Sequence, residues 1–282
     1  MIQYKKLARN AAILFVVSAA MTGCQKLDRP ELGNYPKDPA NPGGTLKFYT
    51  AFENTEVDSI KANFGTVKDI TYVAGITGKA YKGSATGQIE YPSANGVTTS
   101  KSFSVSLWIN TVKHDGGAQS VFMIPNTGDF WGNMFMLIEG NNSPTDNSML
   151  IKFHFGSPTV DQWVVYDGAN RIPDMYGAWK HLVFTYDAAT SKFNIYVNGN
   201  KVAMPAGITD RKNGANPLGS TYSFNNVSKF IIGGYQQHIG FPSGTSGPET
   251  WMLHYTGMLD QFRFYSKALS DAEISALYAS KQ

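Results

Sequence analysis

The chain has 282 residues, of which 13% are aromatic and 16% charged, a balance that excludes a disordered chain and fits a folded protein with a large apolar core. Its formal net charge is +3, but residues 1–23 contain three basic side chains and no acidic one, which leaves 24 − 3 = 21 basic against 21 acidic side chains. A chain that is neutral beyond residue 23 lacks the positive charge with which non-specific nucleic-acid binders displace counterions, so nucleic acid is excluded as a partner.

The first 23 residues have the organisation of a secretory signal peptide. Lys5, Lys6 and Arg9 form a basic region, and residues 11–21 (AAILFVVSAAM) follow without a charge. This stretch is shorter than the roughly 20 residues that span a bilayer, but it has the length of a signal hydrophobic region. We therefore predict a signal peptide over residues 1–23, the alternative being a buried N-terminal helix.

The single cysteine of the chain, Cys24, directly follows that segment. Residues 21–24 (MTGC) resemble a bacterial lipobox, in which small residues precede an acylated cysteine, with Met21 in place of the usual leucine. Acylation of Cys24 would anchor the protein through lipid chains without a transmembrane helix. Residues 24–44 are rich in proline, glycine and charge, which predicts an extended tether after the lipidated cysteine.

The charges of this tether resemble those that route some Bacteroidota-type lipoproteins to the cell surface. We therefore expect a lipid-anchored outer-membrane protein exposed at the cell surface, with a periplasmic orientation as the alternative.

From residue 45 onward, short strands alternate with turns. Residues 102–110 (SFSVSLWIN) alternate with a period of two, as in a strand with one apolar face. Two runs at residues 181–186 and 192–197 flank a segment of turn length and predict a hairpin, followed by a tight turn at Asn198-Gly199. Residues 45–282 thus predict one all-β domain, a two-sheet antiparallel β-sandwich. Further strands are predicted at residues 134–138, 149–155, 163–166, 229–232 and 261–265.

One helical signal lies near the C-terminus. Ser270 and Glu273 form a capping box, in which each side chain satisfies a free backbone amide at the start of a helix. Ile274, Leu277 and Tyr278 would lie on one face of that helix. We therefore expect a short C-terminal helix with one apolar face.

Three groups of segments carry a resemblance to a known family. They are residues 78–80 with 101–109, residues 179–187 (WKHLVFTYD) leading to 195–199 (IYVNG), and residues 257–274 (GMLDQFRFYSKALSDAEI). In this order and spacing they resemble the laminin G-like, concanavalin A-like lectin/glucanase superfamily of bacterial surface proteins. The resemblance implies a jelly roll of two antiparallel sheets, one of them curved, with a concave face and loops that hold a ligand. It does not imply a particular function, because one fold hosts many functions.

The resemblance also implies a candidate calcium site. Family members often bind calcium where an acidic residue of the first strand meets the aspartate of a Gly-x-x-Asp strand, and these positions match Glu53 and Asp260. Calcium prefers several oxygen ligands, among them carboxylates. A structural calcium at Glu53 and Asp260 is therefore expected, the alternative being that Asp260 caps the amides of a turn.

No catalytic site is predicted. Glycoside hydrolysis needs two carboxylates about 5–9.5 Å apart, and hydrolases of this superfamily carry them on one strand as Glu-x-Asp-x-(x)-Glu. Glu53, Glu56 and Asp58 are close in sequence but lack that spacing, and no Gly-x-Ser-x-Gly nucleophile motif occurs. We therefore expect a protein that is not an enzyme.

The histidines give little support to a zinc site, because none forms a His-x-x-x-His pair or lies near a cysteine. His154 and His181 are predicted to be satisfied residues within strands. His238 and His254 flank the loop at residues 239–253 and are expected to be solvent-exposed, the alternative being contact with a ligand.

The tryptophans are the candidate ligand contacts, because sugar binding uses aromatic faces against the C–H surface of the ring. Trp131 and Trp251 lie in polar, glycine-rich loops where large aromatic side chains are unexpected, and Trp163 lies near a strand start. We predict that these three residues bind the ligand; the alternative is that they seal the ends of the sandwich. Trp179 is predicted to belong to the core. Trp108 is predicted to do so as well, the alternative being a place on the concave face, since it shares its strand face with Ser104 and Ser106.

Lipobox, tether and fold together suggest a surface lipoprotein that captures a polysaccharide or oligosaccharide. Such proteins often accompany a TonB-dependent outer-membrane transporter and its SusD-like lipoprotein in nutrient uptake. One alternative is a structural accessory subunit of the transporter complex that binds no soluble ligand, or that binds peptides. A glycoside hydrolase with an unrecognised site is the less supported alternative.

Overall fold

The computed structural model describes residues 44–140, 147–156, 161–212, 222, 224–244 and 247–282. The predicted signal peptide, the lipid attachment at Cys24 and almost all of the tether lie outside these residues. Within them, no helix combines the length and apolar character needed to cross a bilayer.

The described residues form sixteen strands and two α-helices. These are β1 (Leu46–Thr50), β2 (Thr66–Lys68), β3 (Thr71–Ala74), β4 (Lys79–Lys82), β5 (Gln88–Tyr91), β6 (Phe103–Asn110), β7 (Ala118–Ile124), β8 (Met134–Glu139), β9 (Ile151–Gly156), β10 (Asp161–Tyr166), β11 (Lys180–Asp187), β12 (Lys192–Val197), β13 (Asn200–Lys201), α1 (Ala206–Thr209), β14 (Phe230–Ile232), β15 (Met252–His254), β16 (Met258–Tyr265) and α2 (Asp271–Ser280).

The strands are arranged in two sheets. The first sheet has the order β13-β12-β11-β6-β16-β4-β3, with β1 also paired to β16. The second has the order β10-β9-β8-β7-β14-β5-β2, with β15 also paired to β7. Every strand pairing is antiparallel except that of β15 with β7. The predicted all-β sandwich with a short C-terminal helix is confirmed.

Aromatic side chains dominate the core between the sheets. The ring of Phe103 in the first sheet lies 5.9 Å from that of Phe153 and 5.3 Å from that of Phe155, both in the second sheet. Farther along, Phe122 of the second sheet packs 5.3 Å from Phe262 of the first. All of these rings are at most 1% exposed. Burying one such side chain stabilises the fold by about 1.5–3 kcal/mol, so this layer fixes how the sheets face each other.

The outer face of the first sheet is also covered, which the alternation of residues 102–110 does not reveal. Ser104 accepts a hydrogen bond from the amide of Leu269 at 2.9 Å, in the segment that leads into α2. Trp108 is 4% exposed, with its ring 5.6 Å from that of Tyr278 in α2. Trp108 is therefore buried as predicted, but beneath α2 rather than between the sheets. Trp179, by contrast, is half-buried and not a core residue.

Local signals in the sequence are confirmed where they concern turns and caps. Asn198 and Gly199 have φ values of 50° and 78°, as a type I′ turn between β12 and β13 requires. Ser270 accepts a hydrogen bond from the amide of Glu273, whose side chain accepts one from the amide of Ser270. This capping box starts α2 where the sequence predicts it.

Two short strands, β14 and β15, occupy the same position in the second sheet, on one side of β7. Beside β7, β14 pairs antiparallel with residues 122–123, while β15 pairs parallel with residues 118–120. The parallel pairing begins where the amide of Ala118 donates to the carbonyl of Trp251 at 2.7 Å. Gly117 makes this approach possible, because a Cβ there would lie 2.4 Å from the same carbonyl oxygen and 2.9 Å from the Leu253 side chain.

Replacing Gly117 with alanine should therefore displace β15. The matched control is Gly116→Ala, since both glycines have positive φ (48° and 67°) but nothing lies within 4 Å of a Cβ at Gly116. We expect Gly117→Ala to cost about 1–3 kcal/mol more than the control, the usual cost of overpacking. That corresponds to a Tm roughly 2–12 °C lower in a domain of this size, measured by calorimetry. Equal Tm values for the two variants would contradict the close approach.

Candidate functional site

A second apolar cluster lies on the outer face of the second sheet, away from the core. Its members are buried or half-buried side chains of the central strands, the loop after β7 and the segment between β14 and β15. They are Ala118, Met123, Phe135, Leu137, Ile231, Tyr235 and Met252, with Trp131, Trp163, Ile239 and Trp251 packed against them. An apolar surface on the outer face of a sheet is typical of a binding site.

The structure brings the three predicted tryptophans together in this cluster. The ring centroid of Trp131 lies 4.9 Å from that of Trp163 and 5.9 Å from that of Trp251. Trp131 also stacks on the buried ring of Phe135 at 5.8 Å. The three residues come from different elements, and each is half-buried. They lie on the outer surface of a sheet rather than at the ends of the sandwich core.

A pocket of about 290 Å³ opens among these rings. We call it the Trp pocket. Its lining residues are Gly117, Ala118, Trp131, Leu137, Glu139, Lys152, Trp163 and Trp251. The pocket has an apolar floor, three indole walls and one charged edge, which is the usual composition of a site for a small organic ligand.

The charged edge is an ion pair that sequence reasoning missed. Lys152 Nζ lies 2.6 Å from Glu139 Oε1, and the two side chains are 33% and 14% exposed. Glu139 ends β8, and Lys152 lies on β9 opposite Leu137. The only signal was that each charge occupies an outward position of an otherwise apolar strand. The pair adds hydrogen-bonding groups to the pocket without adding net charge.

A buried glutamine holds the loop that carries Trp131. Gln236 is fully buried, and its Oε1 accepts from the amide of Asn126 at 2.9 Å while its Nε2 donates to the carbonyl of Asp129 at 2.7 Å. The amide of Trp131 in turn donates to Asp129 Oδ1 at 3.0 Å. Because these hydrogen bonds hold the loop at Asn126 and at Asp129, the position of Trp131 is set by the fold itself.

Trp251 is held from behind by Tyr235. The two rings meet edge to face at 5.8 Å, and the Tyr235 hydroxyl donates to the carbonyl of Ala118 at 2.9 Å. His238 Nδ1 accepts from the amide of Tyr235 at 3.1 Å, and its Nε2 lies 3.2 Å from the carbonyl of Met252, to which it donates in that tautomer. His238 therefore connects the two segments that support this wall.

His238 and His254 correct the sequence prediction of solvent-exposed loop residues. Their rings stack at 3.7 Å, 8° from parallel, and both are half-buried. Burial and the neighbouring His254 lower the pKa of His238 to about 4. His238 is therefore neutral near pH 7, as its acceptance of a hydrogen bond at Nδ1 requires.

A larger groove, of about 760 Å³, lies on the first sheet along β11, β12 and β13. Its lining is mostly polar, and its aromatic residue among those described, Tyr196, is 3% exposed with its hydroxyl donating to Asp271 at 2.7 Å. None of the residues that the sequence predicts to bind a ligand or a metal lines this groove. The Trp pocket is therefore the better candidate site.

A serine–histidine contact in the first sheet is closed to substrates. Ser106 Oγ lies 2.9 Å from His181 Nε2, a distance suited to a nucleophile and its base. Both residues are 0% exposed, and the ring of Tyr278 stacks over His181 at 6.1 Å. Burial, together with Arg263, lowers the pKa of His181 to about 4. The contact belongs to the packing under α2.

The two residues predicted to hold calcium lie around one turn, between β3 and β4. Asp260 Oδ2 accepts from the amides of Ile76 and Thr77 at 2.9 and 3.3 Å, and Glu53 Oε2 accepts from the amide of Lys79 at 2.9 Å. The alternative prediction, that Asp260 caps turn amides, thus describes an observed contact. Asp260 is fully buried, and its Oδ1 has no hydrogen-bond partner within the described part of the chain.

This arrangement fits part of a calcium shell. Both carboxylates accept from amides of the same turn, and Asp260 Oδ1 is the buried oxygen that a cation would contact. The described residues contain no group of three or more His, Cys, Asp or Glu side chains that could hold a metal. The other ligands would therefore have to be backbone carbonyls and water, which calcium accepts.

Burial, with a contribution from Glu53, raises the pKa of Asp260 to about 7. The folded chain then binds this proton more tightly than the unfolded chain, whose aspartates have a pKa of about 3.9. Stability conferred by the protonated carboxyl is consequently lost as the pH rises from about 4 to about 7. Asn in place of Asp260 keeps an acceptor for the two amides but does not titrate.

We therefore expect the Tm difference between Asp260→Asn and wild type to grow in favour of the variant as the pH rises from 4 to 8 without metal. Asp115→Asn, at an exposed position, is the control for the change of side chain itself. Thermal melts across that range measure the effect. A Tm difference that does not change with pH would show that Asp260 does not titrate there.

Solved structures with a similar fold include binding domains of larger proteins. Domain 4 of AbnA, a GH43 extracellular arabinanase from Geobacillus stearothermophilus whose structure is in complex with arabinotriose, is 21% identical, with a TM-score of 0.54 over 83% of this chain and 98% of that one. The binding domain of Paraclostridial Mosquitocidal Protein 1 is 16% identical, with a TM-score of 0.56 over 84% of this chain and 52% of that one.

The receptor binding domain of the botulinum neurotoxin C/D mosaic serotype is 14% identical, with a TM-score of 0.56 over 84% and 51% of the two chains. The chain thus spans about half the length of the toxin domains, and identities this low show a shared fold alone. Among curated proteins, no sequence matches the chain.

The family model of the concanavalin A-like lectin/glucanases superfamily matches residues 82–275, which is more than half of the chain. This match confirms the family resemblance of the sequence. The chain belongs to the concanavalin A-like lectin/glucanases superfamily.

Proposed function

We propose that this protein is a non-catalytic, glycan-binding lipoprotein of the outer membrane. The observation that carries the proposal is the Trp pocket, where three indole rings from separate elements meet beside a Glu139–Lys152 ion pair. Indole faces pack against the C–H surface of a sugar ring, and the carboxylate and ammonium groups exchange hydrogen bonds with its hydroxyls. This combination of apolar walls and a few placed polar groups is what a sugar requires.

The charge of the pocket argues against a cationic ligand. Aromatic cages bind quaternary ammonium groups through the negative faces of their rings. In the Trp pocket, however, the Lys152 ammonium lies at the edge and is already paired with Glu139. A second cation would be repelled by Lys152, whereas a neutral polyhydroxylated ligand finds both a donor and an acceptor.

A binding role without catalysis agrees with the carboxylates of the described lining. Glu139 is the carboxylate there, and Lys152 is its partner. Glycoside hydrolases need a second carboxyl group about 5–9.5 Å away across the sugar. Within the described residues of the Trp pocket, the second group is missing.

The fold neighbours support a carbohydrate ligand by analogy. The arabinanase domain is in complex with arabinotriose, and a study of botulinum neurotoxin type C describes cell entry that depends on two ganglioside molecules. Both ligands contain sugars. The analogy is one of fold, and the Trp pocket carries the argument for this chain.

The proposed location and partners rest on the sequence of residues 1–44. A signal peptide, a lipidated Cys24 and a charged tether would place the sandwich at the outer-membrane surface. There it would capture a polysaccharide or oligosaccharide for a TonB-dependent transporter and its SusD-like lipoprotein. The transporter would import what the Trp pocket holds.

A structural accessory subunit is the second candidate function. Val67, in the edge strand β2 of the second sheet, is 41% exposed, and Phe64, two residues before β2, is 69% exposed. Exposed apolar side chains at a sheet edge are typical of contacts with another protein. In that case β2 would contact the transporter complex, and the isolated chain would bind no glycan.

Trp131→Ala tests the proposed function. On an array of neutral and acidic oligosaccharides, we expect wild-type protein to bind at least one glycan and the variant to bind it at least about tenfold more weakly, a loss of about 1.4 kcal/mol. Trp179→Ala is the control, because Trp179 is also half-buried but does not line the Trp pocket. Unchanged affinity in both Trp131→Ala and Trp251→Ala would place the binding site elsewhere.

Calcium at Glu53 and Asp260 remains part of the proposal and has its own test. At a calcium concentration ten times its Kd, we expect about 1.4 kcal/mol of added stability, a rise in Tm of roughly 3–6 °C. Asp260→Asn should abolish the rise, because the variant lacks the carboxylate whose Oδ1 would bind the calcium ion. An equal rise with magnesium, or a rise retained in Asp260→Asn, would exclude a specific site at these residues.

A further inference from the structure

The three indole rings of the Trp pocket form a corner. The plane of Trp131 is 86° from that of Trp163 and 42° from that of Trp251. Trp131 thus stands between two walls that face different directions. None of these pairs is coplanar, so the rings do not form one flat surface.

This arrangement decides how a glycan can enter. A flat strip of aromatic rings contacts successive sugars along a chain, because each ring lies under a different residue. A corner instead contacts a single sugar from more than one side, so its contacts are concentrated on that sugar and not on its neighbours along the chain. The corner therefore favours a chain end over an internal segment.

The size of the pocket leads to the same conclusion. Its volume of about 290 Å³ is at the lower limit of small-molecule sites, which enclose about 300–1,000 Å³. The floor is closed by Ala118 and Leu137, which are 1% and 2% exposed on the sheet itself. The pocket is therefore small and closed on the side of the sheet.

The ion pair indicates which chemistry the terminal sugar presents. Glu139 Oε1 is bound to Lys152, whereas its Oε2 has no hydrogen bond with a described residue. The carboxylate accepts from one hydroxyl, and the ammonium, which has three donors, reaches a neighbouring one. Because the two charges cancel, an acidic sugar gains no attraction and meets the carboxylate at close range.

We infer that the Trp pocket binds the terminal sugar of a neutral glycan end-on, with Glu139 and Lys152 bonded to two adjacent hydroxyls. The inference rests on the proposed glycan-binding function and specifies its ligand. In this mode one sugar residue is recognised. The amount of protein that a glycan sample can bind then depends on its number of chain ends and not on its mass.

Calorimetric titration of the full chain tests this inference with two series of probes. One series consists of the methyl glycosides of glucose, galactose, mannose, xylose, arabinose and N-acetylglucosamine, and the other of the corresponding trisaccharides. End-on binding predicts that the best methyl glycoside and its trisaccharide have Kd values within about threefold of each other, well below the tenfold step that 1.4 kcal/mol represents. A trisaccharide bound more than about tenfold tighter would overturn end-on binding and leave glycan binding intact.

The absence of binding in both series would overturn the proposed function together with the inference. These two failures are therefore distinguishable in one experiment.

Matched variants test the charged edge. Glu139→Gln keeps the size of the side chain but leaves Lys152 unpaired, so the methyl glycoside of glucuronic acid should bind at least about tenfold better than it does to wild type. Lys152→Gln should weaken the neutral sugar without improving the acidic one. If neither variant changes the ratio of neutral to acidic affinity, Glu139 and Lys152 do not contact the terminal sugar.

Discussion

The interleaving of aromatic rings between the two sheets is the interaction on which the rest of the structure depends. Phe153 alone lies 4.8 Å from Phe184 and 5.1 Å from Phe193, so one ring of the second sheet contacts two strands of the first. Contacts of this kind fix the alignment of the sheets, and alignment determines which residues face outward together. The Trp pocket exists because β7, β8, β9 and β10 present their outer side chains in register.

The two outer faces of the sandwich have different environments. The C-terminal segment and α2 cover the first sheet over Ser104, Ser106 and Trp108, each at most 4% exposed. The second sheet instead carries a half-buried apolar cluster whose tryptophans remain partly exposed. The cover on the first sheet does not extend over the groove along β11, β12 and β13. The second sheet is the one whose outer face carries the partly exposed tryptophans.

Much of the fold could be predicted from sequence because its signals are local. A period of two in residues 102–110, a capping box at Ser270 and an Asn-Gly turn at residue 198 each depend on a few neighbouring residues. Short strands such as β2, β13 and β15 carry too few residues for a period to be recognised. Their existence depends on pairing with distant strands, and β15 also requires the space left by Gly117.

The site was predictable in part for the same reason. Trp131, Trp163 and Trp251 could be singled out because large aromatic side chains in or near polar loops have no local role. Their convergence could not be deduced, since it depends on the sheet order and on the parallel pairing of β15. Glu139 and Lys152 look like ordinary solvent-facing charges in sequence, and only the register of β8 with β9 brings them to the pocket.

The pKa shifts of Asp260 and His238 make opposite contributions to the pH dependence of stability. The pKa of Asp260 is raised, so its contribution to stability is lost as the pH rises from about 4 to about 7. The pKa of His238 is lowered, so its contribution is lost as the pH falls from about 6.5 to about 4. His238 contacts Tyr235 and Met252 beside Trp251, whereas Asp260 bonds to the turn between β3 and β4, so the two contributions concern different parts of the fold.

Both β14 and β15 lie beside β7, and the segment that joins them forms one wall of the Trp pocket. The segment between β14 and β15, described at residues 233–244 and 247–251, has strands at both ends that pair with β7. This segment contains Tyr235, His238 and Trp251, and Trp251 is one wall of the pocket. Because the strands at its two ends pair with β7, the ends stay in place when the length of the segment changes. Insertions and substitutions there would change the Trp251 wall of the Trp pocket, whereas the sheet order and the aromatic core would stay the same.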